Sequence, residues 1–133
     1  MTQHGNEPVV DGIDHFVITV ADLEATLAFY ERVLGLGILR SPGRPAALMV
    51  ASQKINVHQA DHTFEPKAMR PTAGAADFCL VTGRMLDEVA ARLSDHGVDI
   101  ELGPVERTGA LGKMTSIYFR DPDGNLIEVS KYP

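Results

Sequence analysis

The amino-acid sequence predicts an α+β fold: two βαβββ modules forming a curved mixed-sheet cup, with the helices on its outer face. Three observations predict it. A β-branched strand followed by an amphipathic helix occurs twice, at about 13–34 and 75–96. Each helix is followed by three further strand-like runs. The run Tyr118-Phe119-Arg120-Asp121-Pro122-Asp123-Gly124-Asn125-Leu126-Ile127-Glu128-Val129-Ser130 reads as strand, type I turn, strand, with Asp opening the turn, Pro at its second place and Gly at its fourth.

Residues 1–9 form a polar segment expected to be a mobile tail, and 10–132 form one domain. Module 1 covers about 10–60. Ile13-Asp14-His15-Phe16-Val17-Ile18-Thr19-Val20 is its first strand. Asp22 suits a helix N-cap, Leu23, Leu27, Tyr30 and Leu34 recur at helical spacing, and Gly35 suits the C-terminal stop. Strands are expected at 36–41, 46–51 and 54–60. Residues 61–74, with Pro66, Pro71 and Gly74, read as a linker, a connection rather than a lid.

Module 2 covers about 75–132. Its first strand is Ala75–Thr82, and its helix covers about 84–96, with Met85, Leu86, Val89 and Leu93 inward. Strands follow at about 98–106, 113–120 and 125–131, with Thr108–Gly112 as a flexible loop. The two opening strands align with an offset of 77 − 15 = 62, and the closing strands with an offset of 128 − 58 = 70. The difference fits longer inner hairpins in the second half.

Bulk properties narrow the function. The chain has 133 residues, 44% hydrophobic, enough for one domain with its own core. A net charge of -6 disfavours nucleic acid as a partner. No apolar run reaches membrane-spanning length and no signal pattern opens the chain, so a cytoplasmic protein is expected. The single cysteine, Cys79, precludes an intrachain disulfide. It shares strand parity with Asp77, although a buried inert thiol is its expected role.

Strand parity supplies the site. His15, His58, Asp77 and Glu128 each lie opposite the apolar face of their own strand. At matched repeat positions they would meet in one cavity, where four unpaired ionisable groups would each cost several kcal/mol. A divalent metal resolves that cost. Two imidazoles and two carboxylates suit zinc, nickel, cobalt, manganese or iron(II). Glu128 can also act as a general base, and Asp77 can hydrogen-bond a ligand instead of coordinating. Asn56, Arg107, Ser116 and Tyr118 are candidate substrate-binding residues, with Lys113 a further cation beside the glycine loop. His4, His62 and His96 are expected in solvent.

The stretch from Ile13-Asp14-His15 to Leu36, the duplication, and the closing Asp-Pro-Asp-Gly-Asn…Glu element resemble the vicinal oxygen chelate superfamily. That superfamily includes glyoxalase I, bleomycin-resistance proteins, fosfomycin-resistance thiol transferases and extradiol dioxygenases. The resemblance covers about 10–132 and is strongest to short glyoxalase-domain or virulence-type proteins. It implies a metal held from the first and last strands of each module, here His15, His58, Asp77 and Glu128. The ligand order departs from bacterial glyoxalase I, which has Glu in the second slot and His in the third. The resemblance also implies a homodimer and a small-molecule substrate that chelates through neighbouring oxygens. Glyoxalase-like lyase or isomerase chemistry comes first, with Glu128 or an unbound Asp77 moving the proton. Dioxygenase and thiol-transferase reactions come behind. The alternative is a metal-free protein that binds and sequesters a bleomycin-type antibiotic.

Overall fold

The computed structural model describes residues 7–133; His4 lies outside the described residues. Ten elements follow one another: β1 (His15–Val20), α1 (Leu23–Leu34), β2 (Gly37–Leu39), β3 (Ala46–Val50), β4 (Gln53–Gln59), β5 (Asp77–Val81), α2 (Leu86–Asp95), β6 (Leu102–Gly109), β7 (Gly112–Arg120) and β8 (Leu126–Lys131). They build two four-stranded sheets with the orders β1-β4-β3-β2 and β5-β8-β7-β6. In each sheet the first and last strands of the module run parallel and the remaining pairs are antiparallel. The duplicated βαβββ architecture is thus present.

Local chemistry explains the elements. Asp22 accepts a hydrogen bond from the Ala25 amide at 3.0 Å, capping α1. Gly35, at φ 69, ends it in the left-handed conformation. Helix α2 has no side-chain cap: Met85 stands at its N-cap and is largely exposed rather than inward, while Leu86 and Leu93 are buried.

The core is shared by both modules. Ile18, Ile55 and Val57 of the first sheet, Ile117, Phe119, Ile127 and Val129 of the second, and Leu27, Tyr30, Val33, Leu86 and Leu93 of the helices form one buried cluster. Alternation therefore sends the opposite parity, including His15, Asn56, His58, Glu128 and Ser130, away from the helices.

The Asp-Pro-Asp-Gly-Asn element locks the modules together. Asp121, only 6% exposed, accepts through Oδ1 from the Asp123 and Asn125 amides, and through Oδ2 from the Tyr30 hydroxyl and the Asn125 side-chain amide. Asn125 Oδ1 in turn accepts from the Ala76 amide, and Asp123 Oδ1 from the Ala21 amide. One turn therefore ties α1, the end of β1 and the entry to β5.

Two local expectations change. Residues 108–112 are not a flexible loop: Thr108 pairs with Lys113 and Gly109 with Gly112, so Ala110 and Leu111 are the tip of a tight hairpin. Residues 61–74 do more than connect. Lys67, Ala68, Arg70, Pro71 and Thr72 lie over Val17, Thr19 and His58 of the first sheet.

Candidate functional site

The register between strands sets which residues correspond in the two modules. His15 pairs with Lys54 on β4, and Asp77 with Leu126 on β8. Subtraction gives 126 − 54 = 72 for the closing strands, against 62 for the opening ones. The counterpart of Glu128 is therefore Asn56, and His58 corresponds to Ser130. The parity assigned to His58 holds, but its match to Glu128 is two residues out. The longer β6–β7 hairpin absorbs 72 − 62 = 10 residues rather than eight.

This correction divides the predicted residues into three places. His15 and Asp77 both line a cleft of about 600 Å³ beside the paired rings of Phe16 and Phe78, whose centroids are 5.2 Å apart. His58 lines a different, smaller cavity beneath the 61–74 segment. Glu128 lies on the polar face of the second sheet, opposite Tyr118 on β7 and Cys79 on β5. Among the described residues, no three His, Cys, Asp or Glu side chains of one chain come together as a metal site. One chain therefore does not assemble the expected set of four.

His15 is exposed, and its Nδ1 lies 2.8 Å from Asp14 Oδ1. A carboxylate on one ring nitrogen fixes the imidazole and leaves Nε2 as the acceptor, an arrangement that metal-ligating histidines use. His58 differs. It is only 4% exposed, and burial first, then the Lys67 ammonium, push its pKa down. The shift keeps the imidazole neutral, and His58 stands in a cavity apart from His15, Asp77 and Glu128.

The second sheet carries the densest polar constellation. Arg107 Nε donates to the Tyr118 hydroxyl at 3.0 Å, with its guanidinium 5.5 Å from the centre of the tyrosine ring. Tyr118 stands directly across the strand pair from Glu128. Glu128 Oε2 accepts from Ser130 Oγ at 3.2 Å, and Ser130 Oγ lies 2.6 Å from Ser116 Oγ and 3.1 Å from Cys79 Sγ. Antiparallel pairing places Tyr118 opposite Glu128 and Ser116 opposite Ser130, so backbone register builds this chain of contacts.

Burial first, and then Glu128, push the tyrosine hydroxyl up, against the Arg107 contact, so Tyr118 remains a neutral phenol. Burial also raises the Cys79 thiol, although the residue is exposed rather than a sealed core thiol. Glu128 is half-buried and has no ion-pair partner among the described residues.

Of the predicted substrate-binding residues, Tyr118 pairs across the strands with Glu128, and Arg107 donates to the Tyr118 hydroxyl. Ser116 is fully buried and supports Ser130 from beneath. Asn56 sits on the first sheet, with its side-chain oxygen buried and unpaired among the described residues. Lys113 faces Glu106 at 3.7 Å in the open. His62 is exposed, and His96 is a half-buried residue closing α2. Ser130, which links Glu128 to Cys79 and Ser116, was missed by the sequence reading; its parity with Glu128 was the available signal.

Residues 12–129 match the family model described as the Glyoxalase/Bleomycin resistance protein/Dioxygenase superfamily. The chain is 50% identical to Virulence protein STM3117 of Salmonella typhimurium over 124 residues, 93% of this chain and 86% of that protein. The crystal structure of that protein superposes with a TM-score of 0.91, at 49% identity, covering 95% of this chain and 100% of the other. Glyoxalase domain-containing protein RDO1 of Mycosarcoma maydis is 46% identical, over 92% of this chain and 69% of its own length. Metallothiol transferase FosB of Shouchella clausii is 30% identical, over 91% of this chain and 80% of that protein.

Proposed function

The chain belongs to the Glyoxalase/Bleomycin resistance protein/Dioxygenase superfamily, and from that premise we propose that it is a divalent-metal-dependent enzyme acting on a small, oxygen-chelating substrate. Members of the superfamily bind small molecules and commonly use a divalent metal. The observation that carries this reading is Glu128: a half-buried carboxylate with no ion-pair partner among the described residues, bonded by the Ser130 hydroxyl and paired across the strands with Tyr118. An uncompensated half-buried carboxylate costs stability unless a ligand or reaction uses it.

The residues fit a metal only as half-sets. His15 offers a free Nε2 on the first module, and Glu128 and Asp77 offer carboxylates on the second. His15 of one copy and Glu128 of another would hold the ion, with Asp77 a further carboxylate in the cleft that His15 lines, so the enzyme acts as a homodimer. The bound metal would supply Lewis-acid polarisation of the substrate oxygens.

This chain's own residues do the rest. A carboxylate on an open sheet face can take a proton from a carbon beside a carbonyl and return it to the neighbouring carbon. Ser130 donates to Oε2 and holds the carboxylate plane. Neutral Tyr118 can donate its phenolic hydrogen to a substrate oxygen, and Arg107 fixes that ring while offering a cation to an anionic substituent. Glyoxalase-like isomerisation is the reaction to assay first, before ring cleavage or thiol transfer.

The test is metal content together with a mixing experiment. Wild-type protein should bind one of zinc, nickel, cobalt, manganese or iron(II), and His15→Ala and Glu128→Gln should each lose it. Equal refolding of the two variants together should restore about a quarter of wild-type metal binding, because half of the dimers are mixed and each mixed dimer holds one intact site of two. No restoration overturns the shared centre. Refusal of all five metals by the wild type favours the second reading, a metal-free protein that binds a bleomycin-type antibiotic. That reading draws on one observation: no three metal-type side chains converge among the described residues.

A further inference from the structure

The first sheet carries a second polar site, separate from the Glu128 face. His58 is 4% exposed, its Nδ1 has no hydrogen-bond partner among the described residues, and its ring lines a cavity of about 190 Å³. An unpaired buried imidazole nitrogen costs about 1–3 kcal/mol. The walls are Val17, Ile18 and Thr19 of β1 on one side, and Lys67, Ala68, Arg70, Pro71 and Thr72 of the 61–74 segment on the other. Phe64 packs beside the imidazole, ring centroids 5.5 Å apart.

Among the described residues, the charged side chains that line this cavity are cations. Lys67 and Arg70 line it, and no Asp or Glu does. Lys67 Nζ meets Glu65 at 2.9 Å and donates to Thr63 Oγ1 at 3.0 Å. An ammonium has three donors, so one remains for a ligand. The volume equals the space of roughly six waters, enough for a tetrahedral or planar oxyanion and not for an extended ligand.

We propose that this cavity is an oxyanion site, taking a carboxylate or phosphate-type group between His58, Thr19 and the cations Lys67 and Arg70. The imidazole donates through a ring N–H, and the 61–74 segment is the cationic wall that closes over the bound group. The anion would be either a free ion or the charged end of a larger ligand whose remainder leaves past Arg70. Because the site stands on the first sheet, it does not depend on the metal reading.

The test uses full-length protein treated with EDTA. Inorganic phosphate and acetate are titrated while the His58 ring signals are followed by carbon–proton NMR. Saturable shifts of His58 are expected, with its titration midpoint moving upward as an anion is bound. Lys67→Met should weaken binding about tenfold or more, the effect of losing one charge-assisted hydrogen bond, and Arg70→Met should weaken it as well. Glu128→Gln should leave the affinity unchanged, so that failure here and failure of the metal centre are read apart. Shifts that never saturate, affinities within twofold in both cation variants, or a response abolished by Glu128→Gln would each overturn the proposal. Both cations are exposed residues, so their replacement leaves the core intact.

Discussion

Replacing Asp121 tests whether the Asp-Pro-Asp-Gly-Asn element is a structural tie rather than part of the site. Its carboxylate accepts four hydrogen bonds, at 3.0 and 2.9 Å on Oδ1 and at 2.7 and 2.8 Å on Oδ2. Tyr30 and Asn125, which supply three of the four donors, are both 0% exposed. In Asp121→Ala those three donors lose their acceptor in places water reaches poorly. Each orphaned donor costs about 1–3 kcal/mol, and partial relaxation keeps the total near 4 kcal/mol. That is a large share of the roughly 5–15 kcal/mol that holds a domain of this size together. Tyr30→Phe removes one donor and its bond, and should cost about 1.5 kcal/mol. The double variant should then be about 1–2 kcal/mol less destabilised than additivity predicts, because the phenylalanine no longer leaves a hydroxyl unpaired. Urea unfolding followed by circular dichroism suits a chain without tryptophan. A loss below about 1 kcal/mol for Asp121→Ala, or strict additivity in the cycle, would refute the assignment of that turn as the tie between modules.

Three further outcomes are expected. Glu128→Gln should remove ligand or metal binding while changing unfolding free energy by less than about 1 kcal/mol, since its hydrogen-bond partner is the Ser130 hydroxyl and it carries no ion pair among the described residues; titration calorimetry and urea melts measure the two sides. Burial and Lys67 hold the folded-state pKa of His58 below its unfolded value. The unfolded chain therefore takes up the proton first, and the protein should lose stability as pH falls below about 6.5, a loss that His58→Gln should lessen in melts across pH 7.5 to about 5.5. Gly74→Ala should destabilise by about 1–3 kcal/mol, because Gly74 is at φ 83 and a Cβ there would meet the Asp123 carbonyl oxygen at 2.6 Å; unchanged thermal stability would contradict that.

The fold was legible because its signals are local or periodic. Asp22 and Gly35 bracket α1 through backbone chemistry that needs no tertiary partner, and alternation separates Ile127 and Val129 from Glu128 whatever the strand pairs with. The site was less legible because it depends on register. Parity repeats every two residues, so offsets of 70 and 72 predict the same faces. Only the hydrogen-bonded pairing shows that Asn56, and not His58, stands where Glu128 stands. The 61–74 segment was read as connection because proline and polar residues carry no periodicity that could show it lying over β1. Arg107 was a candidate substrate-binding residue with no partner legible in the sequence, and only the closeness of β6 to β7 shows it stacked on Tyr118.

The corrected register also shows that the two modules present different residues at equivalent positions. Equivalent positions carry Asn56 and His58 on the first sheet, and Glu128 and Ser130 on the second. The first pair is neutral, buried and roofed by a segment that brings two cations. The second pair is a half-buried carboxylate and a buried hydroxyl bonded to it, with no ion pair to Glu128 among the described residues. A metal ion gains from the second environment and is repelled by the first, whereas an oxyanion has the opposite preference. Duplication supplied two copies of one frame. A neutral amide at position 56 against a carboxylate at 128, and a roof with Lys67 and Arg70 over only the first face, give the two copies different electrostatic surroundings.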